Sequence, residues 1–316
     1  MPRLGENDTN TYAYEINYNN INLILKVWKT DKPLIIVTHG WIAKYNDQGV
    51  YSIKNAYAVK YPDGYNIITL GWITYYQTFL NVASKCKEVG LALSHFLIKL
   101  VSLRIIIPSN IHMIGHNLGA HVLGVCGKNF YKLTKHKISR ITGLNPTGPM
   151  TINTSITSIY LGKTLQKDDA TFVDLIHTAK IDKFPMTTGH VEFYPNGGYN
   201  PQKGCEDINY EIYLTNGKKN DEITKSVAIL FCSDAKSYEY YVESINNESA
   251  FISTLSKSYQ HFENLENSER TTNHMGHHVN TKKGGTFYLM TNPMSPYSMD
   301  SIEAYKEKER EFRYTL

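Results

Sequence analysis

Short apolar runs alternate with stretches of helical periodicity through the first half of the chain, in the order strand, helix, strand, helix. Leu34-Ile35-Ile36-Val37-Thr38 and Asn66-Ile67-Ile68-Thr69-Leu70 are rich in β-branched residues and bounded by turn formers, so both predict buried strands. From Val82 to Leu103 apolar residues recur at helical spacing, as in Val89, Leu93, Phe96, Leu97 and Leu100. Ile111-His112-Met113-Ile114 predicts a third strand that runs directly into Gly115-His116-Asn117-Leu118-Gly119. Ala120 to Cys126 then reads as helix, and Ile138 to Leu144 as a fourth strand. Buried strands separated by helices predict an α/β fold, with a mostly parallel central sheet and helices on both faces.

The second half is less regular. Residues 206–231, between Cys205 and Cys232, are polar as far as a tip at Lys218–Glu222 and apolar at Val227-Ala228-Ile229-Leu230-Phe231. This segment is expected to be a lid-like surface loop clamped at its base. Ser301 to Arg313 is strongly charged and reads as a solvated helix or a frayed tail. No repeat, low-complexity run or linker divides the chain. The expected organisation is an N-terminal segment 1–29, one domain 30–300 and a charged tail 301–316.

Composition narrows the function classes. With 41 % of its 316 residues hydrophobic, the chain can bury a sizeable core. No apolar run approaches the length of a membrane span. The net charge of +4 is scattered rather than striped, which argues against nucleic acid as a partner and is compatible with weak attraction to an anionic surface. Of four cysteines, Cys86 and Cys126 lie in helical apolar patterns, while Cys205 and Cys232 bracket a polar segment. This reads as one disulfide and two buried thiols; four free thiols in a cytosolic chain is the alternative. The start, Met1 to Asn7, lacks the apolar core of a signal peptide, so either a leader has been removed or the protein stays inside the cell. Glycosylation triplets begin at Asn7, Asn153 and Asn247 and are compatible with secretion.

The candidate chemistry starts at the third strand. Gly-x-x-x-Gly between strand and helix is the pattern of the hydrolase nucleophile elbow, a turn so tight that a Cβ at either glycine would strike its neighbours. The central residue sits in a strained conformation that Asn tolerates better than most. Here that residue is Asn117, and a carboxamide is not a nucleophile. Alone, the motif does not separate an elbow from an ordinary turn.

The surrounding residues do separate them. Gly115-His116-Asn117-Leu118-Gly119-Ala120-His121 resembles the Gly-His-Ser-Leu-Gly-Ala-His run of pancreatic-type lipases and insect phospholipases A1. Thr38-His39-Gly40-Trp41 resembles the family's oxyanion loop, and Thr142-Gly143-Leu144-Asn145-Pro146 the segment that holds its catalytic Asp. Phe172 to Thr178, Gly189 to Gly198, Met275-Gly276-His277 and Gly285 to Leu289 are similar to further family signatures, in the family's order. The resemblance covers roughly residues 30–298 and implies the α/β-hydrolase fold.

It also implies where the triad should be. The Ser position carries Asn117, the Asp position Asn145, and the His position, after the second lid cysteine, Asp234. Ser233 and His177 are the nearest stand-ins, and neither lies on the elbow. Asn117 and Asn145 could each donate an N–H to Asp234, making a polar cluster without chemistry. The oxyanion hole of the family uses backbone N–H groups, here those of Trp41 and Leu118, so it is expected to persist. The Cys205–Cys232 pair resembles the family's lid disulfide. No cofactor, no metal and no trailing β-sandwich are expected. The resemblance therefore implies a secreted, non-catalytic homologue that binds lipid or another hydrophobic small molecule, as a store, carrier or yolk-like protein. The competing readings are an active lipase or phospholipase A1 with a rewired site, and an effector or receptor-binding protein on the same scaffold, with peripheral membrane contact compatible with each.

Overall fold

Leu34–Thr38 (β1) is buried along its whole length, and its side chains alternate between two apolar layers. Ile35 and Val37 face one layer with Tyr57, Tyr240 and Tyr241, whereas Leu34 and Ile36 face another with Leu93, Leu97 and Leu123. A strand with two covered faces must be apolar throughout, which is why the run LIIVT shows no polar alternation.

The computed structural model describes residues 23–74, 77–146, 164–180, 188–206, 222–265 and 271–299. Among them, β1 is followed by β2 (Asn66–Leu70), β3 (Ile111–His116), β4 (Arg140–Leu144), β5 (Phe172–Ile176), β6 (Val191–Pro195), β7 (Ile252–Leu255), β8 (Thr272–His274) and β9 (Gly285–Leu289). They form one sheet in the order β2-β1-β3-β4-β5-β6-β9-β7-β8. Pairing is parallel from β2 across to β9, and antiparallel where β7 meets β9 and β8. The helices are α1 (Ile24–Val27), α2 (Gln48–Lys60), α3 (Phe79–Ser102), α4 (Leu118–Thr134), α5 (Glu222–Asn246) and α6 (Tyr259–Asn264). α3 and α4 cover one face of the sheet, α2 and α5 the other. This is the mostly parallel, two-faced sheet expected from the pattern and the α/β-hydrolase architecture implied by the resemblance. No helix among the described residues is long and apolar enough to cross a membrane.

Two expected boundaries move. The body begins before residue 30, because Ile24 on α1 is 2 % exposed within the α3–α4 layer and the Asn66 side chain bonds the backbone of Lys29 and Lys32. The segment 206–231 is not a loop throughout: from Glu222 it is helix, the opening turns of α5, while 207–221 lie outside the described residues. The apolar run at 227–231 is the reason. Its helix buries Ala228, Ser233, Asp234 and Ser237 and leaves Val227 exposed. The tail 301–316 also lies outside the described residues.

Candidate functional site

The carboxy ends of β1, β3 and β4 open at one edge of the sheet, and α5 crosses that edge. β3 ends in a turn at Asn117, whose backbone is held at φ 55°, ψ −122°, a strained region that persists only where the surroundings enforce it. They do so here. A Cβ at Gly115 would lie 2.6 Å from the Ala120 nitrogen, and one at Gly119 would lie 2.5 Å from the His39 oxygen. A side chain on Gly40 would overlap the Asn117 Cβ, so the β1 loop reaches the elbow only because residue 40 is glycine. The Asn117 N–H bonds the Leu144 carbonyl at 2.9 Å, fixing the turn to the end of β4.

The three side chains singled out by position come together. Asp234, 8 % exposed on α5, accepts from Asn145 Nδ2 at 2.6 Å and, through the same Oδ1, from Asn117 Nδ2 at a long 3.4 Å. Asn145 is the residue after β4, with φ 42°. Its Oδ1 accepts the N–H groups of Thr178 (3.2 Å) and Ala179 (3.0 Å), so three hydrogen bonds decide which end of the amide is which. Asn145 therefore presents a donor, and only a donor, to Asp234.

A fourth member, His116, has no assigned role in the sequence reading. Its Nε2 lies 3.0 Å from Asp234 Oδ2, an ionic contact rather than a well-aligned hydrogen bond. Burial pulls the imidazole pKa down, but the charge and contact of Asp234 pull it up by more, so His116 titrates above its ordinary 6.5. The signal available in the sequence was adjacency alone: the residue before the elbow ends β3 on the same edge. Asp234 is anchored from behind as well. The next-but-one residue back, Cys232, is disulfide-bonded to Cys205, and Ser233 Oγ accepts the Gln202 N–H at 3.0 Å. Cys86 and Cys126 are buried thiols outside the disulfide, as expected.

The oxyanion-loop positions behave unequally. Leu118 N–H donates to Asn117 Oδ1 at 2.8 Å, so the elbow residue occupies this donor with its own side chain. Trp41 is placed by Nε1, which donates to the Gln77 carbonyl at 2.9 Å, and by an edge contact with Phe79. Behind it, His39 stacks on Trp72; its Nε2 accepts the Trp72 N–H and Nδ1 donates to the Gly40 carbonyl. Burial lowers the His39 pKa, consistent with that neutral ring. The stand-ins lie elsewhere. Ser233 is fully buried behind α5, and His177 stacks on Tyr194 with Nε2 3.4 Å from Glu192. Burial opposes ionisation of Glu192, but His177, Tyr194 and the Gly189 N–H outweigh it and hold the carboxyl down at about 2.

Beside the elbow the surface is apolar. Ile42, Tyr45 and Ile73 are exposed on the loops that carry Trp41 and Trp72, and Leu80 at the start of α3 beside Phe79, with Ile73 70 % and Tyr45 56 % exposed. Among the described residues no group of His, Cys, Asp and Glu is arranged to hold a metal ion.

Comparison with known proteins adds the following. The family model described as Lipase matches residues 5–297. The chain is 31 % identical over 308 residues to pancreatic lipase-related protein 3 of Homo sapiens, covering 92 % of this chain and 62 % of that one. It is 29 % identical over 284 residues to hepatic triacylglycerol lipase of Bos taurus, covering 84 % and 54 %. It thus spans little more than half the length of these relatives. Esterase PE8, a solved structure, shares 14 % identity at a TM-score of 0.33, covering 65 % of this chain and 93 % of its own; the fold class rests on the strand order, not on that likeness.

Proposed function

We propose, on the premise that the chain belongs to the lipase family, that it is an extracellular member without ester hydrolysis that binds a lipid or another hydrophobic small molecule. One observation carries this reading: the elbow presents a carboxamide, Asn117, whose oxygen is bonded to Leu118 N–H and whose nitrogen is turned to Asp234. Acyl transfer in the family needs a hydroxyl at that point, a base to take its proton and a carboxylate to orient the base. Asn117, Asn145 and Asp234 stand at the three positions, and none can take its role. The amide nitrogen has no basic lone pair, and Asp234 Oδ1 already accepts from both amides. His116 cannot serve as the base either: its Nε2 faces Asp234, and no hydroxyl stands at the elbow for it to deprotonate. An occupied Leu118 N–H further weakens any oxyanion site.

Binding is supported by the apolar rim. Ile42, Tyr45, Ile73 and Leu80 expose hydrocarbon next in the chain to Trp41, Trp72 and Phe79, which pack with Leu118, and such a patch marks a site for an apolar ligand or surface. A store, a carrier and a yolk-like protein each need no more than this, and the same rim suits peripheral contact with a membrane. The scattered charge offers nothing to nucleic acid. The Cys205–Cys232 disulfide supports an oxidising, extracellular location.

The test is turnover of a short-chain ester and of a phospholipid, with the parent beside an Asn117→Ser, Asn145→Asp, Asp234→His triple variant. The expected result is no activity in the parent and measurable activity in the variant. Clear parental activity that survives Asn117→Ala overturns the non-catalytic reading. Native mass spectrometry of protein from its source checks the other half: a chain free of lipid or other apolar ligand overturns the binding reading.

A further inference from the structure

The turn that ends α5 carries the triplet Asn247-Glu248-Ser249, and we propose that Asn247 is a site of N-linked glycosylation, its donor an oligosaccharide carried on a lipid diphosphate. The proposal rests on the extracellular reading above, because donor and transferase act in the secretory lumen.

A triplet is only an opportunity; the structure supplies three further conditions. Asn246 to Ser249 are exposed, between the buried Ile245 and Ala250, so the acceptor stands clear of the core on a short turn. The turn also arranges the amide. Asn247 Oδ1 accepts from Ser249 N–H at 3.1 Å and from Ser249 Oγ at 2.9 Å, while among the described residues Nδ2 donates to none. The hydroxyl thus polarises the carboxamide at its oxygen and leaves the nitrogen for reaction. In the transfer, Nδ2 forms a bond to the anomeric carbon of the first sugar. The bond from that carbon to the diphosphate oxygen breaks, the diphosphate leaves with the electron pair, and Nδ2 gives one of its two protons to a base of the transferase. Finally there is room. Asn247 lines an open groove of about 430 Å³ between α2, α5 and the 295–297 loop, with Gln48, Ser52, Tyr238 and Tyr297 along it. Its amides, hydroxyls and tyrosine rings are groups on which a sugar can lie.

The placement has a consequence. α2 and α5 run side by side in the same direction, with Gly49 against Tyr238 near one end and Lys60 Nζ donating to the Asn246 carbonyl at the other. Asp234 lies thirteen residues before Asn247, about 20 Å of helix at 1.5 Å per residue. A glycan is therefore rooted at the far end of α5 from Asp234.

The other two triplets, at Asn7 and Asn153, lie outside the described residues, so the test must resolve sites. The full chain is expressed behind a supplied signal peptide in insect cells. The secreted protein is treated with peptide N-glycosidase in ¹⁸O water, and each released site is read as labelled Asp by peptide mass spectrometry. Label is expected at position 247, lost entirely in Ser249→Ala and kept in Ser249→Thr, with occupancy at Asn7 and Asn153 unchanged by either. A secreted chain with the Cys205–Cys232 bond formed and an unlabelled Asn247 overturns the proposal. The extracellular reading fails separately, if the natural protein is found only in the cytosol with those two cysteines reduced.

Discussion

Two polar clusters are buried on the α2–α5 side of the sheet, and they solve the same problem differently. Under α2 and α5, Arg140 grips Asp174 with two bonds of 2.8 Å and donates to the carbonyls of Gly276 and His277, using four of its five N–H groups. Thr142 Oγ donates to the same carboxylate and accepts from His112, whose pKa is lowered by burial and by Arg140. There a full positive charge meets a full negative one. At the elbow, Asp234 is surrounded by two amides and one imidazole, so no permanent cation faces its charge. The first cluster is held by a pair of opposite charges. The second is held by neutral donors and a titratable ring, which makes it adjustable by single substitutions and by pH.

The largest effect should come from breaking the first. Arg140→Met leaves Asp174, which is fully buried, without a counter-ion and should cost about 3–5 kcal/mol. Adding Asp174→Leu should recover at least half of that loss. Urea unfolding of the pair measures both, and equal stability of single and double variants would show that the ion pair is not what binds this layer.

At the elbow, Asn145→Asp places a second carboxylate against Asp234 across a 2.6 Å contact. We expect a loss of about 2–4 kcal/mol at pH 7 that shrinks as one carboxyl takes a proton in acid. Asp234→Asn in the same chain should relieve it, and a thermal midpoint unmoved by Asn145→Asp would show that the two side chains do not meet.

His277 sharpens the contrast through pH. Burial, then Arg140 and His278, push its pKa down to about 3. A depressed histidine stabilises the fold above its unfolded pKa of 6.5 and loses that contribution as pH falls toward 3. On the order of 2 kcal/mol should disappear between pH 6.5 and 4, and His277→Asn should flatten that limb of the stability profile. His116 has the opposite sign and the smallest effect. With its folded pKa raised, its contribution is complete below 6.5 and fades as pH rises through the folded value. His116→Gln should cost about 1 kcal/mol at pH 6 and nearly nothing at pH 9; an equal cost at both would mean the ring is not charged against Asp234.

Much of this was legible in the residues, for reasons that can be named. β1 announces itself because a strand covered on both faces must be apolar without interruption, and α3 because one helical stripe is buried against α4; β2, expected to be buried, is an edge strand and only its first residue is fully buried. The opening of α5 was not, since its first turns follow a polar tip and their burial is set by the distant Cys205 and Gln202. Nor could the chain order reveal that β9 inserts between β6 and β7, because that pairing is fixed by contacts far apart in sequence. At the site, Asn117, Asn145 and Asp234 were marked out by the family resemblance, and their hydrogen-bonding capacity suggested the cluster they form. The contact of His116 and the turn of Asn117 Oδ1 onto Leu118 N–H depend on side-chain torsions that no pattern encodes.

The direction of the Asn145–Asp234 hydrogen bond also sets the order in which the site could be rewritten. Changing residue 145 to an acid first passes through two facing carboxylates, an intermediate worse than either end. Changing Asp234 to histidine first leaves an amide beside an imidazole, two groups that can each donate or accept. Only one of the two paths between amide–acid and acid–imidazole avoids the facing carboxylates, so the hydrogen bond acts as a ratchet on the engineering of this site.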